Sequence, residues 1–250
     1  MMTKFHDLIA IGGGSAGLAV AQRAAIIEQS GLGGTCVNNG CVPKKVMWYA
    51  TQSMEAIRDA HGSAIRVSAP LLDWAQLVDR RNAYVAGSRP LVPAVPGAGL
   101  GISSDGFFAL DRQPRRVAVI GGGYIGVELS GVLRALGSEV SLIAREERVL
   151  EVFDHMIGDT LTEHMRAQGI ALHPGCQVTG LDRRNDGIVV SMAGAGTLEG
   201  FDTVIWAVGR RPNTAPLNLA AAGVATGPDG ATWSTATSAP VRRASMPSAT

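Results

Sequence analysis

The sequence predicts an α/β fold with two Rossmann-like dinucleotide-binding domains, the first of them incomplete. Three observations predict it. Short apolar runs with β-branched members alternate with helix-like stretches. The pattern G-x-G-x-x-G occurs twice, each time between such a run and a helix-like stretch. The spacing after the first copy is much shorter than after the second.

Bulk properties agree with a folded, near-neutral chain. A length of 250 residues accommodates one large or two ordinary domains and a real core. Hydrophobic residues make up 46% and charged residues 17%, a globular rather than a disordered balance. Lys and Arg number 22 against 21 Asp and Glu, a formal net charge of +1. Neither nucleic acid nor a membrane is therefore an expected partner. No apolar run reaches the roughly 18 residues of a membrane span. The polar residues 1–7 lack the apolar stretch of a signal peptide. A cytoplasmic location is the expectation. The three cysteines, Cys36, Cys41 and Cys176, are too few and odd in number for an extracellular disulfide scaffold.

The elements follow in order. Residues 5–11 form an apolar run that reads as a buried strand, and residues 18–25 read as a small-residue helix. Between them lie Gly12, Gly14, Ser15 and Gly17 of the first glycine motif. Residues 116–120 read as a second buried strand, followed by Gly121, Gly123, Tyr124 and Gly126. A helix is expected over 127–136, closed by Gly137, and a further strand over 140–143. Residues 187–190 and 201–206 supply later strands, with Val117, Val140, Ile188 and Val204 in strand-like runs. The expected domains are 1–111, 112–215, and a returning tail at 216–250.

Each motif has the same physical purpose. The first glycine permits a tight turn. The second lets backbone N–H groups approach a pyrophosphate, and the third lets the helix pack closely on the strand. The residue that closes each unit selects the nucleotide. Glu28, after Ile26 and Ile27, suits a ribose and hence FAD or NAD. Arg145, after Ser141-Leu142-Ile143-Ala144, suits a 2′-phosphate and hence NADPH, although Glu146 and Glu147 stand beside it.

The most specific stretch is Gly33-Gly34-Thr35-Cys36-Val37-Asn38-Asn39-Gly40-Cys41-Val42-Pro43-Lys44-Lys45. Two cysteines five apart in a regular helix have Cα atoms roughly 8.6 Å apart, beyond the ~7 Å reach of a disulfide. A bridge needs a distorted turn, which Asn38-Asn39-Gly40 tolerates. A helix begun near the pair, with Lys44 and Lys45, favours a thiolate. Inert buried cysteines and a zinc half-site are the alternatives, but the second motif pair that a zinc site needs is missing from the sequence. No metal site is expected. His155 and His164 read as helix-surface residues.

A first glycine motif, then this cysteine stretch, then a second glycine motif resembles the pyridine nucleotide–disulfide oxidoreductases. The continuation Pro43-Lys44-Lys45-Val46-Met47-Trp48 is similar to the glutathione reductase branch. P-K-K is shared with trypanothione reductases, whereas dihydrolipoamide reductases usually have P-S-K. Arg89-Pro90, Ser104-Asp105-Gly106-Phe107-Phe108 and Ala207-Val208-Gly209-Arg210-Arg211-Pro212-Asn213 extend the likeness over residues 3–230. The resemblance implies NADPH-dependent, FAD-containing reduction of glutathione disulfide. It implies a Cys36–Cys41 redox disulfide, with Cys41 nearer the flavin and Cys36 attacking the substrate. It also implies Lys44 paired with Glu128 beside the flavin, and Tyr124 as a movable lid over the nicotinamide pocket. Gly34, Thr35, Cys36, Lys44, Glu128 and Gly209 join the expected cofactor contacts. A homodimer is the family habit.

The chain departs from the family in three places. Gly17 to Glu28 spans 11 residues, against 19 from Gly126 to Arg145, where about 20 is usual. The first crossover therefore looks trimmed, with too little chain for a helix from Leu18 to return before Ile26. Residues 84–89 stand where the family has a long helix and a β-meander, including a glutathione-holding tyrosine. Beyond Gly230 the composition turns to Ala, Thr, Ser, Pro and Arg. Back-translated with free choice at wobble bases, Arg243 to Thr250 read two bases later gives Gly-Val-Tyr-Ala-Ile-Gly-Asp, a flavin-binding motif of the family. A frameshift near Gly230 is the expectation, testable on the gene's nucleotide sequence. The interface domain, with its acid–base His–Glu pair, would then be absent, and His155, His164 and His173 do not replace it. Glu151 stands where the family often has a second 2′-phosphate arginine, with Arg148 nearby. A non-catalytic remnant or nucleotide-binding module is the alternative to an active reductase.

Overall fold

A computed structural model gives the fold. It describes residues 9–11 and 25–27 by their backbone, helical residues between 41 and 59 and at 74, then 89–212, 214, 218–222 and 224–228. The chain divides into two compact units, Met1–Gly209 and Arg210–Thr250. The second unit is described by β12 (Arg210–Arg211) and a short 3-10 turn at Leu219–Ala222.

The first unit begins with β1 (Ile9–Ile11) and β2 (Ala25–Ile27), paired in parallel with Ile9 opposite Ala25, and the short strand β3 (Arg89–Pro90) follows. This corrects the expectation that the crossover is too short to return. Residues 12–24 exceed the roughly 10–12 that a parallel return requires, and the chain comes back one residue earlier than Ile26. The expected helix over 18–25 lies outside the described residues, apart from its last position, which is strand.

The core of the unit is a five-stranded parallel sheet. Its strands are β4 (Ile102–Ser103), β5 (Arg116–Ile120), β6 (Glu139–Ile143), β7 (Ala171–His173) and β11 (Thr203–Trp206), ordered β4-β11-β5-β6-β7. Strand β5 is central, with Val117 opposite Val140 on one side and Thr203 on the other. Both faces are covered, and the strand's period of two assigns residues to them. Val117 and Val119 face Leu129, Val132 and Leu133 of α2 (Tyr124–Ala135). Ala118 and Ile120 face the opposite way, toward Ile188 and Val190. Burial of each such aliphatic side chain contributes about 1.5–3 kcal/mol. Helices α1 (Ser104–Phe108) and α3 (His155–Ala167) complete the first face through Phe107, Phe108 and Met165.

The second face is covered by a three-stranded antiparallel sheet that the sequence reading did not foresee. Its order is β10-β9-β8, from β8 (Val178–Arg184), β9 (Gly187–Met192) and β10 (Gly196–Phe201). Residues 187–190 thus belong to this layer rather than to the parallel sheet. The expected strand over 201–206 is in fact two. Asp202 breaks it, its carboxylate accepting hydrogen bonds from the Arg115 and Arg116 N–H groups at 2.8 Å each. The chain changes sheets at that residue. Helix α2 begins at Tyr124, three residues earlier than expected, and ends at Ala135 with Leu136 as its C-cap before Gly137, whose φ of 108° suits glycine.

Trp206 ties β11 to the loop before β4. It is fully buried, and its Nε1 donates to the Ala98 carbonyl at 2.9 Å. Trp206→Phe keeps most of the aromatic volume but removes this hydrogen bond, leaving the Ala98 carbonyl with the Gly101 N–H at 3.1 Å. The expected loss is about 0.5–1.5 kcal/mol of unfolding free energy, read from urea denaturation; an unchanged midpoint contradicts this.

Candidate functional site

The site is built at the C-terminal end of the parallel sheet, where β5 and β11 part and the strand order reverses. Gly121 leaves β5 with φ 123°, and its N–H donates to the Ile143 carbonyl at 2.8 Å. A side chain there would run into the Ala207 carbonyl oxygen, and one at Gly126 would collide with the Gly121 carbonyl oxygen. These two glycines let α2 pack directly onto the loop. Gly123 is the N-cap, in extended backbone, with no side chain capping the helix and open space where its own Cβ would stand. The N-terminal amides of α2 are left to an outside acceptor, and the macrodipole favours an anionic one. This geometry fits a dinucleotide's pyrophosphate. Gly209, at φ 128°, closes the facing turn, its carbonyl accepting the Leu91 N–H at 2.9 Å.

The cysteine helix meets α2 beside this loop. Cys41, Lys44, Lys45 and Trp48 recur at helical spacing and share one face. Met47, on another face, is fully buried in the core with Trp74. Lys44 is buried, and its ammonium forms an ion pair with Glu128 of α2. The same Nζ lies 5.3 Å from the centre of the Tyr124 ring, within cation–π range. Tyr124 itself is 55% exposed. Cys41 is exposed, one turn before Lys44. A cavity of about 1040 Å³ opens here, bordered by Cys41, Lys44 and Trp48 on one side and by Val127, Glu128 and Met165 on the other.

The third part is the loop after β6. Arg145 is exposed, and its Nη2 lies 2.8 Å from Glu146 Oε1. Arg148 is turned toward α3, with Glu151 at 3.1 Å and Asp159 at 3.3 Å. The Leu150 N–H donates to the Gly122 carbonyl at 2.8 Å, fastening this loop to the glycine turn. The partnership of Arg148 with Asp159 was not read from the sequence; the two are eleven residues apart, and only the arrival of α3 brings them together.

The structure therefore brings together Cys41, Lys44, Glu128 and Tyr124, and places Gly121, Gly123, Gly126, Arg145 and Gly209 around the adjoining turns. Gly12, Gly14, Ser15, Gly17, Glu28, Gly34, Thr35 and Cys36 lie outside the described residues. His155 and His164 are exposed on α3. Among the described residues, no His, Cys, Asp and Glu cluster of three or more is placed to hold a metal ion. Among them, also, no helix is long and apolar enough to cross a membrane.

The parallel sheet thus carries a glycine turn over an uncapped helix, with a cysteine–lysine helix ion-paired to it. The chain belongs to the pyridine nucleotide-disulphide oxidoreductase family, whose model matches residues 6–236. It is 36% identical to a glutathione reductase of Yarrowia lipolytica (strain CLIB 122 / E 150), over 88% of this chain and 62% of that protein. It is 34% identical to a glutathione reductase of Schizosaccharomyces pombe (strain 972 / ATCC 24843), over 92% of this chain and 63% of that one. The Cu(II) complex of the HOCl-induced flavoprotein disulfide reductase from Escherichia coli superposes with a TM-score of 0.76. It shares 25% identity and covers 93% of this chain and 63% of that chain. The chain thus spans under two thirds of the length of these relatives. The first alignment runs over 291 positions, more than the 250 residues of this chain. The relative therefore carries internal segments with no counterpart here.

His173 on β7 offers a pH handle. Partial burial holds its pKa below the ordinary imidazole value, because burial penalises the charged ring. The folded state favours the neutral ring, so the unfolded chain takes up a proton first. This contribution is fully present above about pH 6.5 and is lost as pH falls below it. Urea midpoints measured from pH 8 to pH 5 are expected to fall less steeply for His173→Gln than for the unmodified chain; parallel curves contradict this.

Proposed function

We propose that this chain supplies the nucleotide-binding and thiol-exchange machinery for NADPH-dependent, FAD-linked reduction of glutathione disulfide. One observation carries the reading. The Lys44–Glu128 ion pair holds Cys41 and its helix against the helix that opens the second dinucleotide turn. Residues 1–111, with 216–250, form the FAD side in this reading, and 112–215 the NADPH side. A cytoplasmic setting suits a chain with only three cysteines.

The residues have distinct roles. The uncapped N-terminus of α2 holds the pyrophosphate, and Arg145 stands where a 2′-phosphate would lie. Tyr124, exposed at the first position of α2, covers the nicotinamide pocket until the nucleotide enters. FAD, when bound, relays an electron pair from the nucleotide to the cysteine disulfide. Lys44 and Lys45 favour the thiolate forms of the cysteines through their charge. The Cys36 thiolate attacks glutathione disulfide, forming a mixed disulfide and releasing one glutathione thiolate. Cys41 then attacks the mixed disulfide, releasing the second glutathione and closing the Cys36–Cys41 bond. Two thiols are oxidised and one disulfide is reduced, so the exchange balances.

A nucleotide-binding module without turnover is the second reading. It is favoured by the internal segments that the relative carries and this chain lacks. The visible absorption of the purified chain, reconstituted with FAD, separates the two. An active reductase is yellow, bleaches with NADPH, and recovers its colour with glutathione disulfide; Cys41→Ser abolishes that recovery. A colourless chain that still binds NADPH supports the module. A chain that binds neither FAD nor NADPH contradicts both readings.

A further inference from the structure

The cavity beside Cys41 extends well past the thiol. The helix face that carries Cys41 and Trp48 continues along it through Gln52, Glu55 and Asp59, at spacings of three and four residues. At 1.5 Å per residue, the stretch from Trp48 to Asp59 is about 17 Å long. It lies beyond the residues assigned to the thiols and the nucleotide. The opposite wall is Gly131, Arg134 and Ala135 of α2, with His164 of α3. Val132, Met165 and Ile170 supply an apolar, buried base. Trp48 stands on the rim, 49% exposed, and a Cβ at Gly131 would meet open space. The cavity, about 1040 Å³ in all, is larger than the roughly 300–1,000 Å³ of small-molecule pockets.

The two walls are opposite in charge along this stretch. Glu55 and Asp59 make one wall negative, and Arg134 makes the other positive. Glu55 accepts from the neutral Gln52 amide at 3.1 Å, and Arg134 donates through Nε to the Gln168 carbonyl at 2.8 Å. Among the described residues, the walls are joined by an ion pair only at the Cys41 end, between Lys44 and Glu128. Opposite charges that face each other across a gap without meeting are matched by an occupant that carries both. We propose that this groove seats an amphipathic α-helix of a partner polypeptide, about three turns long. Its apolar stripe lies on Val132, Met165 and Ile170, with basic residues toward Glu55 and Asp59 and acidic residues toward Arg134. Trp48 is the exposed aromatic anchor, and the missing side chain at Gly131 lets the partner backbone come close to α2. This interaction is additional to disulfide reduction and stands without it.

The test is fluorescence anisotropy of a labelled peptide titrated with the full chain. The peptide has about 15 residues, with Leu at spacings of three and four, Lys along one flank and Glu along the other. Binding on the order of 10 µM is expected. A peptide of the same composition with scattered leucines is expected to bind at least about tenfold more weakly. Gly131→Phe raises helix propensity and projects a ring into the groove. It is expected to abolish binding while its urea midpoint holds or rises, which shows that the variant is folded. Trp48→Ala is expected to weaken binding about tenfold or more. Glu55→Lys combined with Asp59→Lys is expected to weaken the Lys/Glu peptide several-fold and to strengthen a peptide with Glu on both flanks. Equal binding of the ordered and scattered peptides, or full binding to a folded Gly131→Phe chain, overturns the proposal. A chain that elutes as a dimer, and as a monomer after Gly131→Phe, overturns it in favour of a second copy as the occupant.

Discussion

Burying an ammonium requires a counter-charge, and in this molecule that requirement joins two otherwise separate parts of the sequence. Lys44 is one helical turn beyond Cys41, and Glu128 is one turn into α2. Their ion pair brings the cysteine helix to the second glycine turn across 84 residues of sequence. The Tyr124 ring shares the same ammonium, so the outermost residue of the nucleotide turn is also held by it. The cavity beside Cys41 has its two walls because these helices meet there.

What lets α2 stand in that position is backbone geometry. Gly121 and Gly126 occupy places where any Cβ would strike a carbonyl oxygen, and Gly123 leaves the helix start open. The parallel sheet beneath supplies a rigid base because both of its faces are buried. One face is covered by helices and the other by the antiparallel sheet. A pyrophosphate site needs such a base, since its donors are backbone amides that move only with the chain.

Much of this was legible in the sequence for identifiable reasons. Strand β5 was read at its observed bounds because a short apolar run ends at a glycine motif, a local signal. The pairing of Lys44 with Glu128 came from resemblance, not from any pattern within the chain, since nothing local links residues so far apart. The antiparallel sheet was missed because β8 and β10 are rich in charge, glycine and threonine, with only a few buried positions each. The trimmed first crossover was misread because usual spacing was taken as a limit, whereas the strands need only enough chain to return in parallel. Asp202 was hidden inside an apolar run, and only its two hydrogen bonds to the start of β5 reveal a change of sheet.

The dependence of the site on one ion pair is open to direct measurement by a double-mutant cycle. Lys44→Met, Glu128→Gln and the double variant are compared with the unmodified chain by urea denaturation. Lys44 is buried, while the Glu128 side chain is 47% exposed, so solvent screens part of the attraction. A coupling energy of about 0.5–2 kcal/mol is expected, with each single variant less stable than the unmodified chain. Strictly additive effects, with coupling below about 0.3 kcal/mol, would show that the two helices are held together by packing and that the pair does not organise the site.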